Sequence, residues 1–300
     1  MAFGTQSKMD YELYHDESLE GGYWHGMLLV PIWKKQEYLD LLIAARKNTN
    51  YNEKFGIKDV RKKWGQIYNC ASAWVQIGVV CMRSNVNGFH EYVFMGENKA
   101  NQYQRVDLTG LKFILFRERD KHKEMTGYKD NASKIETTFR FGLKGGLHFL
   151  GSNEEPISIE KIHFDGYEHH HRHIDKARIR DRIDGLREYC HISNRPDLID
   201  DRRSNHDDPA SQEYGDCQYL QLTDLLIGCF RTSFGYVKKD VHQKLALPVK
   251  RRLVNEYNKG FARMRNSRWF NSFTLSQCYL ENGQWKFEGI ERNSNEGIQL

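Results

Sequence analysis

Apolar runs of two different periods alternate along this 300-residue chain, and that alternation constrains its fold more than any other feature. Strand-like runs come first, at 10–17 and 23–32, and Gly21-Gly22 between them predicts a hairpin turn. A helical spacing of apolar residues follows over 37–47, and strands then mix with helices. The pattern predicts an α/β fold in which one mixed sheet is flanked by helices.

The later segments continue this mixture of element types. We expect strands at 73–82, 111–116 and 157–164, and helices at 133–150, 174–189, 219–230 and 245–263. The pair Asn282-Gly283, between alternating residues, predicts a hairpin over 273–287. We therefore expect a main domain over 10–235 and a C-terminal helix and β-hairpin extension over 236–300.

Composition argues against several classes of protein. No apolar run approaches the ~20 residues that a membrane span needs, and the first residues lack the apolar core of a signal peptide, so we expect a cytoplasmic chain with no membrane partner. Six cysteines occur without a C-x-x-C pair, so we expect small core residues rather than a thiolate zinc site. The net charge of +5 is compatible with a polyanionic partner but does not require one.

Three aspartates occupy positions that surface charge explains poorly. Asp16 and Asp165 each lie at the end of a predicted strand, and Asp224 interrupts an apolar helix segment in which Gly228 permits close approach to another backbone. Each has an ordinary explanation, because Asp is common in turns and a helical Asp often pairs with Arg or Lys. Together they indicate a carboxylate cluster whose mutual repulsion a divalent cation would relieve, and hard oxygen ligands suit Mg²⁺ or Mn²⁺.

Two segments resemble motifs of one protein family. Tyr14-His15-Asp16-Glu17-Ser18 resembles the opening Y-x-D-E-S motif of the domain-of-unknown-function 3800 family. The segment 220–228, LQLTDLLIG, resembles its closing L-Q-L-A-D-L motif with Thr223 in place of alanine, and Asp165 resembles the acid between them. The resemblance covers roughly 10–235, with an insertion around 83–156 that aligns poorly.

The resemblance implies a ribonuclease H-like fold and a nuclease that uses two metal ions, in a family associated with phage defence and mobile elements. Asp16 would then bridge both ions, while Asp165 and Asp224 would each hold one. Glu17 is a further catalytic candidate, although strand alternation directs it away from Asp16 unless the strand ends there. Glu136 is a further metal-ligand candidate, and a capping box with Ser133 explains it equally well.

Clusters of basic residues are candidate nucleic-acid contacts, because aromatic side chains such as Trp64 are interleaved with them and single strands need both charge and stacking surfaces. Solvated helix faces are the alternative explanation. These residues are Arg61, Lys62, Lys63, Lys176, Arg180, Lys250, Arg251 and Arg252. The tract 169–173, HHHRH, indicates either a metal or proton-relay role or an exposed loop.

Three interpretations of function remain open from the sequence. The first is a Mg²⁺- or Mn²⁺-dependent nuclease acting on DNA or RNA, with a protein partner in a defence complex. The second is a non-catalytic module that binds nucleic acid or a partner protein on the same fold. The third is a toxin-like effector kept silent by a partner. Convergence of Asp16, Asp165 and Asp224 in the folded chain would favour the nuclease.

Overall fold

A computed structural model describes residues 10–19, 21–82, 90–96, 103–119, 131–151, 157–165, 190–192, 197–199, 210–211, 213–257 and 272–290. The strands within these ranges are β1 (Asp10–Ser18), β2 (Tyr23–Pro31), β3 (Glu91–Phe94), β4 (Tyr103–Val106), β5 (Lys112–Glu118), β6 (Ile157–Asp165), β7 (Cys190–Ile192), β8 (Asp197–Ile199), β9 (Phe273–Glu281) and β10 (Gln284–Gly289). The α-helices are α1 (Lys35–Thr49), α2 (Gln66–Cys81), α3 (Asn131–Leu150), α4 (Glu213–Ser233), α5 (Asp240–Leu245) and α6 (Leu247–Tyr257).

One mixed sheet organises the structure, as the sequence predicts. Its strands follow the order β10-β9-β5-β2-β1-β6-β7, and β8 also pairs with β6. β2 is antiparallel to both β1 and β5, whereas β6 runs parallel to β1. β7 and β8 run parallel to β6, and β9 runs parallel to β5. β3 and β4 form a separate antiparallel pair.

Strand alternation divides the core between the two faces of this sheet. On β1, Leu13 belongs to the cluster that includes Phe139 and Leu143 of α3. Tyr14, the next residue, belongs to the larger cluster that includes residues of α1, α2 and α4, among them Trp74. Successive side chains of a strand point to opposite faces, so α3 covers one face and α4 the other. None of the helices in the described ranges is long and apolar enough to cross a bilayer.

The prediction of a strand at 73–82 is wrong, because these residues form most of α2 (Gln66–Cys81). The helix is buried almost all round: Trp74, Ile77 and Val80 are each no more than 4% exposed. A helix packed on every side shows no polar stripe, so its sequence has the same continuous apolar character as a buried strand.

The C-terminal hairpin belongs to the central sheet. β9 pairs with β5 over Phe113↔Phe273 to Glu118↔Cys278, so 273–289 extends the sheet that contains β1. β5 and α3, which both lie in the expected insertion at 83–156, are likewise part of the sheet and its covering layer. The helix expected at 245–263 is confirmed over 247–257 as α6, which begins one residue before Pro248, and residues 258–263 lie outside the described residues. The helix expected at 174–189 lies outside the described residues.

Candidate functional site

Asp16 and Asp165 are neighbours on two parallel strands. Asp165 ends β6 as predicted, whereas the prediction that Asp16 ends its strand is wrong, because β1 continues to Ser18. The pairing of β1 with β6 runs through Tyr14↔His163 and His15↔Phe164, and the two aspartates occupy the next position on each strand. The rings of Tyr14 and His163 stack with centroids 4.7 Å apart, so these strands present the same face at matching positions. Both aspartates lie on that face and are 7% and 8% exposed.

Helix α4 packs along the same face. Near its start, Asp216 Oδ1 lies 2.6 Å from the Tyr14 hydroxyl. Near its end, Arg231 donates a hydrogen bond to the Ser18 hydroxyl. These contacts align the helix with β1 from Tyr14 to Ser18, and Asp224 lies on the helix between them. The structure therefore places Asp16 and Asp165 on the face that α4 covers and Asp224 on α4 itself.

A loop before α2 holds the Asp224 side chain. Asp224 Oδ2 accepts a hydrogen bond from the backbone N–H of Ile57 at 2.7 Å. Gly56 makes room for this contact, since a Cβ atom there would lie 2.3 Å from the same oxygen. Gly228 admits the loop, because a Cβ atom there would lie 2.4 Å from Ile57 Cγ1. Gly228 was expected to let α4 approach another backbone, and the group that approaches is instead the side chain of Ile57, the first residue of a short 3-10 helix.

Glu17 and Glu136 lie in the opposite layer. β1 continues through Ser18, so strand alternation sends Glu17 to the α3 face, where it accepts a hydrogen bond from the Tyr23 hydroxyl. Glu136 is 1% exposed and belongs to α3 itself. The sheet therefore separates both glutamates from Asp16, and the structure does not place them with the three aspartates. The side chain of Ser133 lies outside the described residues, so its capping box remains a prediction.

Two groups of described side chains bring three potential metal-ligand atoms within 4.8 Å of one another, and neither contains Asp16, Asp165 or Asp224. The first is Glu12, His163 and Asp216, on the α4 face. The second is His15, Glu17 and His25, on the α3 face. The sequence analysis missed both groups, although period-two alternation already placed Glu12 on the face of Asp16 and His15 on that of Glu17.

Lys35 bridges the two carboxylates of the first group, Glu12 and Asp216. Its Nζ atom donates to Glu12 Oε2 and to Asp216 Oδ1, each at 2.7 Å, and His163 Nε2 lies 3.0 Å from Glu12 Oε2. Burial alone would raise the pKa of Glu12, but the hydrogen bond with His163 and the charge of Lys35 hold that pKa well below its usual range. Burial would lower the pKa of Lys35, and the charges of Asp216 and Glu12 raise it instead. Lys35 is therefore a cation already bound between the two carboxylates of this group.

The second group forms a buried chain of hydrogen bonds. His15 Nε2 lies 2.8 Å from His25 Nδ1, and His25 Nε2 lies 2.7 Å from Thr138 Oγ1. His15, His25 and Thr138 are all 0% exposed. Burial and the neighbouring Glu17 raise the pKa of Tyr23 well above its usual value, so Tyr23 stays protonated and donates to Glu17.

The basic residues differ in their surroundings. The prediction that Arg252 contacts nucleic acid is wrong. This side chain is 9% exposed, and its guanidinium donates to the carbonyl oxygens of Val79 and Met82 at the end of α2. It is therefore a structural cap on α2 and not a surface contact. Lys63 pairs with Asp240, and burial lowers the pKa of Lys250.

Arg61, Lys62 and Arg251 are exposed, as expected for contacts with a large ligand. Trp64, 71% exposed, lies beside the first cluster in sequence. Lys176, Arg180 and the tract 169–173 lie outside the described residues, so their roles remain predictions.

The cysteine prediction is confirmed for the five described thiols, Cys70, Cys81, Cys217, Cys229 and Cys278, which are free and buried. Burial raises the pKa of Cys70 to about 11, as expected of an inert core thiol. The Cys190 side chain lies outside the described residues. Comparison of the chain with protein-family models, with curated proteins and with solved structures gave no match.

Proposed function

We propose that this chain is a Mg²⁺- or Mn²⁺-dependent nuclease with a ribonuclease H-like fold. The observation that carries the proposal is the adjacency of Asp16 and Asp165 on parallel strands, beneath the helix that bears Asp224. Two acids at strand ends and a third on a helix packed across them are what the motif resemblance leads us to expect of such a fold. The resemblance of 14–18 and 220–228 to two motifs of one family supports the same assignment.

The residues present suit a hard divalent cation. Asp16, Asp165 and Asp224 supply carboxylate oxygens, which are the ligands that Mg²⁺ and Mn²⁺ prefer. Asp16 and Asp165 are adjacent and mostly shielded from water, so their repulsion favours binding of a cation. When bound, the metal would supply Lewis-acid stabilisation of a phosphodiester transition state. The role of the protein is to hold the carboxylates in place. The Ile57 N–H orients Asp224, and the pairing of β1 with β6 fixes Asp16 and Asp165.

The residues that follow Ile57 favour nucleic acid as the substrate. Arg61 and Lys62 follow Ile57 by only a few residues and are exposed, and the Trp64 ring beside them is 71% exposed. Positive charge with an exposed aromatic ring is the combination that binds the backbone and bases of single strands. Substrate bound at this loop would lie close to the carboxylate of Asp224.

Cleavage of labelled DNA and RNA, single-stranded and duplex, tests the proposal in Mg²⁺, in Mn²⁺ and in chelator. We expect metal-dependent cleavage that Asp16→Asn and Asp224→Asn each reduce by at least about 100-fold, because each removes a metal ligand. Asp216→Asn is the matched control, as a carboxylate on the same helix that Lys35 already neutralises, and it should retain cleavage. Cleavage that survives both test substitutions in folded protein would refute the proposal.

A non-catalytic binding module is the second candidate. It is favoured by one observation: the three aspartates do not form one of the compact ligand groups, and an amide already engages Asp224. Such a module would bind nucleic acid without cleaving it, and its affinity would be unchanged in chelator. The nuclease should instead show Mg²⁺ binding by calorimetry that Asp16→Asn abolishes.

A further inference from the structure

We propose that His15, Glu17 and His25 bind one transition-metal ion of the zinc class, on the face of the sheet opposite Asp16. Their ligand atoms all lie within 4.8 Å of one another. His15 and Glu17 come from alternate positions of β1, and His25 lies directly across from Glu17 on β2. The three side chains therefore share one face of two adjacent strands, which hold them in place without any loop.

The spacing of the ligand atoms is close to that of a metal site. His15 Nε2 and His25 Nδ1 are 2.8 Å apart. Two nitrogens bound to one tetrahedral Zn²⁺ lie about 3.3 Å apart, because each bond is about 2.0–2.1 Å long. A ring displacement of a few tenths of an ångström would admit the ion. The proton between the two nitrogens would then leave for another ring nitrogen or for solvent, and both lone pairs would face the metal.

The groups behind the ligands resemble the outer shell of a metal site. The second ring nitrogen of His25 lies 2.7 Å from Thr138 Oγ1, which fixes the orientation of the ring. Tyr23 donates its hydroxyl proton to Glu17, which steadies the carboxylate. Metal-binding histidines and carboxylates usually carry such partners, and these partners raise the affinity of the site.

The composition and surroundings of the group select the kind of metal. Two imidazoles and one carboxylate suit Zn²⁺ and related transition metals better than Mg²⁺, which prefers oxygen ligands. The ring of Phe139 lies 4.9 Å from that of His15, and the ring of Phe164 lies 4.7 Å from it, centroid to centroid. These rings pack against one side of the site. Because the three side chains supply three ligands, one water molecule would complete a four-coordinate ion.

The other compact group is a weaker candidate for a metal. Glu12, His163 and Asp216 already surround the ammonium of Lys35, which contacts both carboxylates. A metal ion there would have to displace a bound cation. His163 nevertheless provides a matched control, because it is a buried histidine beside a carboxylate on the opposite face.

The proposed zinc site would also affect the position of Asp16. Asp16 lies between His15 and Glu17 in sequence and points to the opposite face. An ion held by both neighbours would fix the backbone of β1 at the residue that presents the Asp16 carboxylate. The proposed zinc site would thus hold the strand that carries Asp16, although its own ligands lie on the opposite face of the sheet.

Metal analysis of the purified full chain tests the proposal, with Zn²⁺ and Co²⁺ as the only added probes. We expect one tightly bound zinc ion per chain, and the chelator-stripped protein should bind Co²⁺ with the visible absorption of a four-coordinate ion. His25→Gln and Glu17→Gln should abolish both signals, whereas His163→Gln should keep them. Thr138→Val should weaken binding by about 10- to 100-fold, as loss of an outer-shell partner does.

Each outcome decides the question, provided that circular dichroism shows folded protein. Stripped wild-type chain that takes up neither Zn²⁺ nor Co²⁺ would overturn the proposal, as would a folded Glu17→Gln variant that binds them like wild type. If His25→Gln does not fold, the metal measurements on Glu17→Gln and Thr138→Val test the proposal in its place. Asp16→Asn should keep the zinc ion while losing cleavage, so failure of the nuclease proposal and failure of this one remain distinguishable.

Discussion

Ile227 of α4 occupies the space that a side chain at Gly26 of β2 would need, since a Cβ atom there would lie 2.2 Å from Ile227 Cγ1. Gly26 lies directly opposite Asp16 in the pairing of β1 with β2. The helix therefore packs tightly against the sheet beside Asp16. This contact requires that residue 26 has no Cβ atom, and it sets the distance between α4 and the face of the sheet that carries Asp16.

We expect Gly26→Ala to lower the free energy of unfolding by about 1–3 kcal/mol, because the added methyl would push α4 away from the sheet. Urea denaturation measures the change. Gly145→Ala is the control, since a Cβ atom at that helical position meets nothing within 4 Å, and it should leave stability unchanged or raise it by up to about 1 kcal/mol. Equal effects of the two substitutions would contradict the close packing of α4.

Under the proposed nuclease function, Gly56→Ala should impair cleavage without removing any of the three proposed metal ligands. A Cβ atom at Gly56 would lie 2.3 Å from Asp224 Oδ2, so the carboxylate must move. Displacement of a catalytic group by about 1 Å can cost about 100-fold in rate, and we expect a loss of that order in kcat. The assay is the same metal-dependent cleavage, with Gly145→Ala as the control. Full activity in Gly56→Ala would mean that the position of Asp224 does not matter.

Lys35→Met should destabilise the fold by about 3 kcal/mol, the lower end of the range for breaking a buried ion pair, since the Lys35 side chain keeps 26% exposure. The substitution leaves Glu12 and Asp216 facing each other without their shared cation. Thermal and urea unfolding measure the loss. Lys47→Met, at an exposed position of the same helix, should change stability by less than about 0.5 kcal/mol.

The lowered pKa of Glu12 predicts a specific loss of stability in acid. The folded-state pKa lies well below the usual value of 4.5, so the ionised carboxylate stabilises the folded state above that pH. This contribution should decline as the pH falls below about 4.5 and protonation of the unfolded chain becomes favourable. Glu12→Gln should flatten the dependence of Tm on pH in this range. Glu37→Gln, at an exposed position, should leave the slope intact.

Arg252→Ala should destabilise the chain by about 2–3 kcal/mol, because it removes charged hydrogen bonds to two buried carbonyl groups. Arg251→Ala should change stability by less than about 0.5 kcal/mol, since that side chain is exposed. Paired urea melts of the two variants make the comparison. Similar melts would mean that the guanidinium of Arg252 does not cap α2.

Much of the fold could be predicted from local sequence. The alternation in 10–17 and 23–32, with glycines between them, was sufficient for the β1–β2 hairpin, and Asn282-Gly283 was sufficient for the turn between β9 and β10. The apolar stripe of 219–230 was sufficient for most of α4. These features depend on side chains a few residues apart, and such contacts are encoded in the period of the sequence.

Other features depended on contacts between distant residues. The buried helix α2 and a buried strand have the same apolar composition, so only its packing on all sides distinguishes them. The side of the sheet to which Glu17 points depended on whether β1 ended before this residue. β1 pairs with β2 through Ser18↔Trp24, so the strand includes Glu17 and its side chain lies on the α3 face.

Local sequence therefore determined which residues could be acidic ligands, basic contacts or core side chains. Tertiary structure decided which of them meet: it placed Asp16 beside Asp165, buried Arg252 against α2, and joined Lys35 to Asp216. Strand pairing and helix packing bring together residues far apart in the chain. The period of a sequence carries no information about such distant partners.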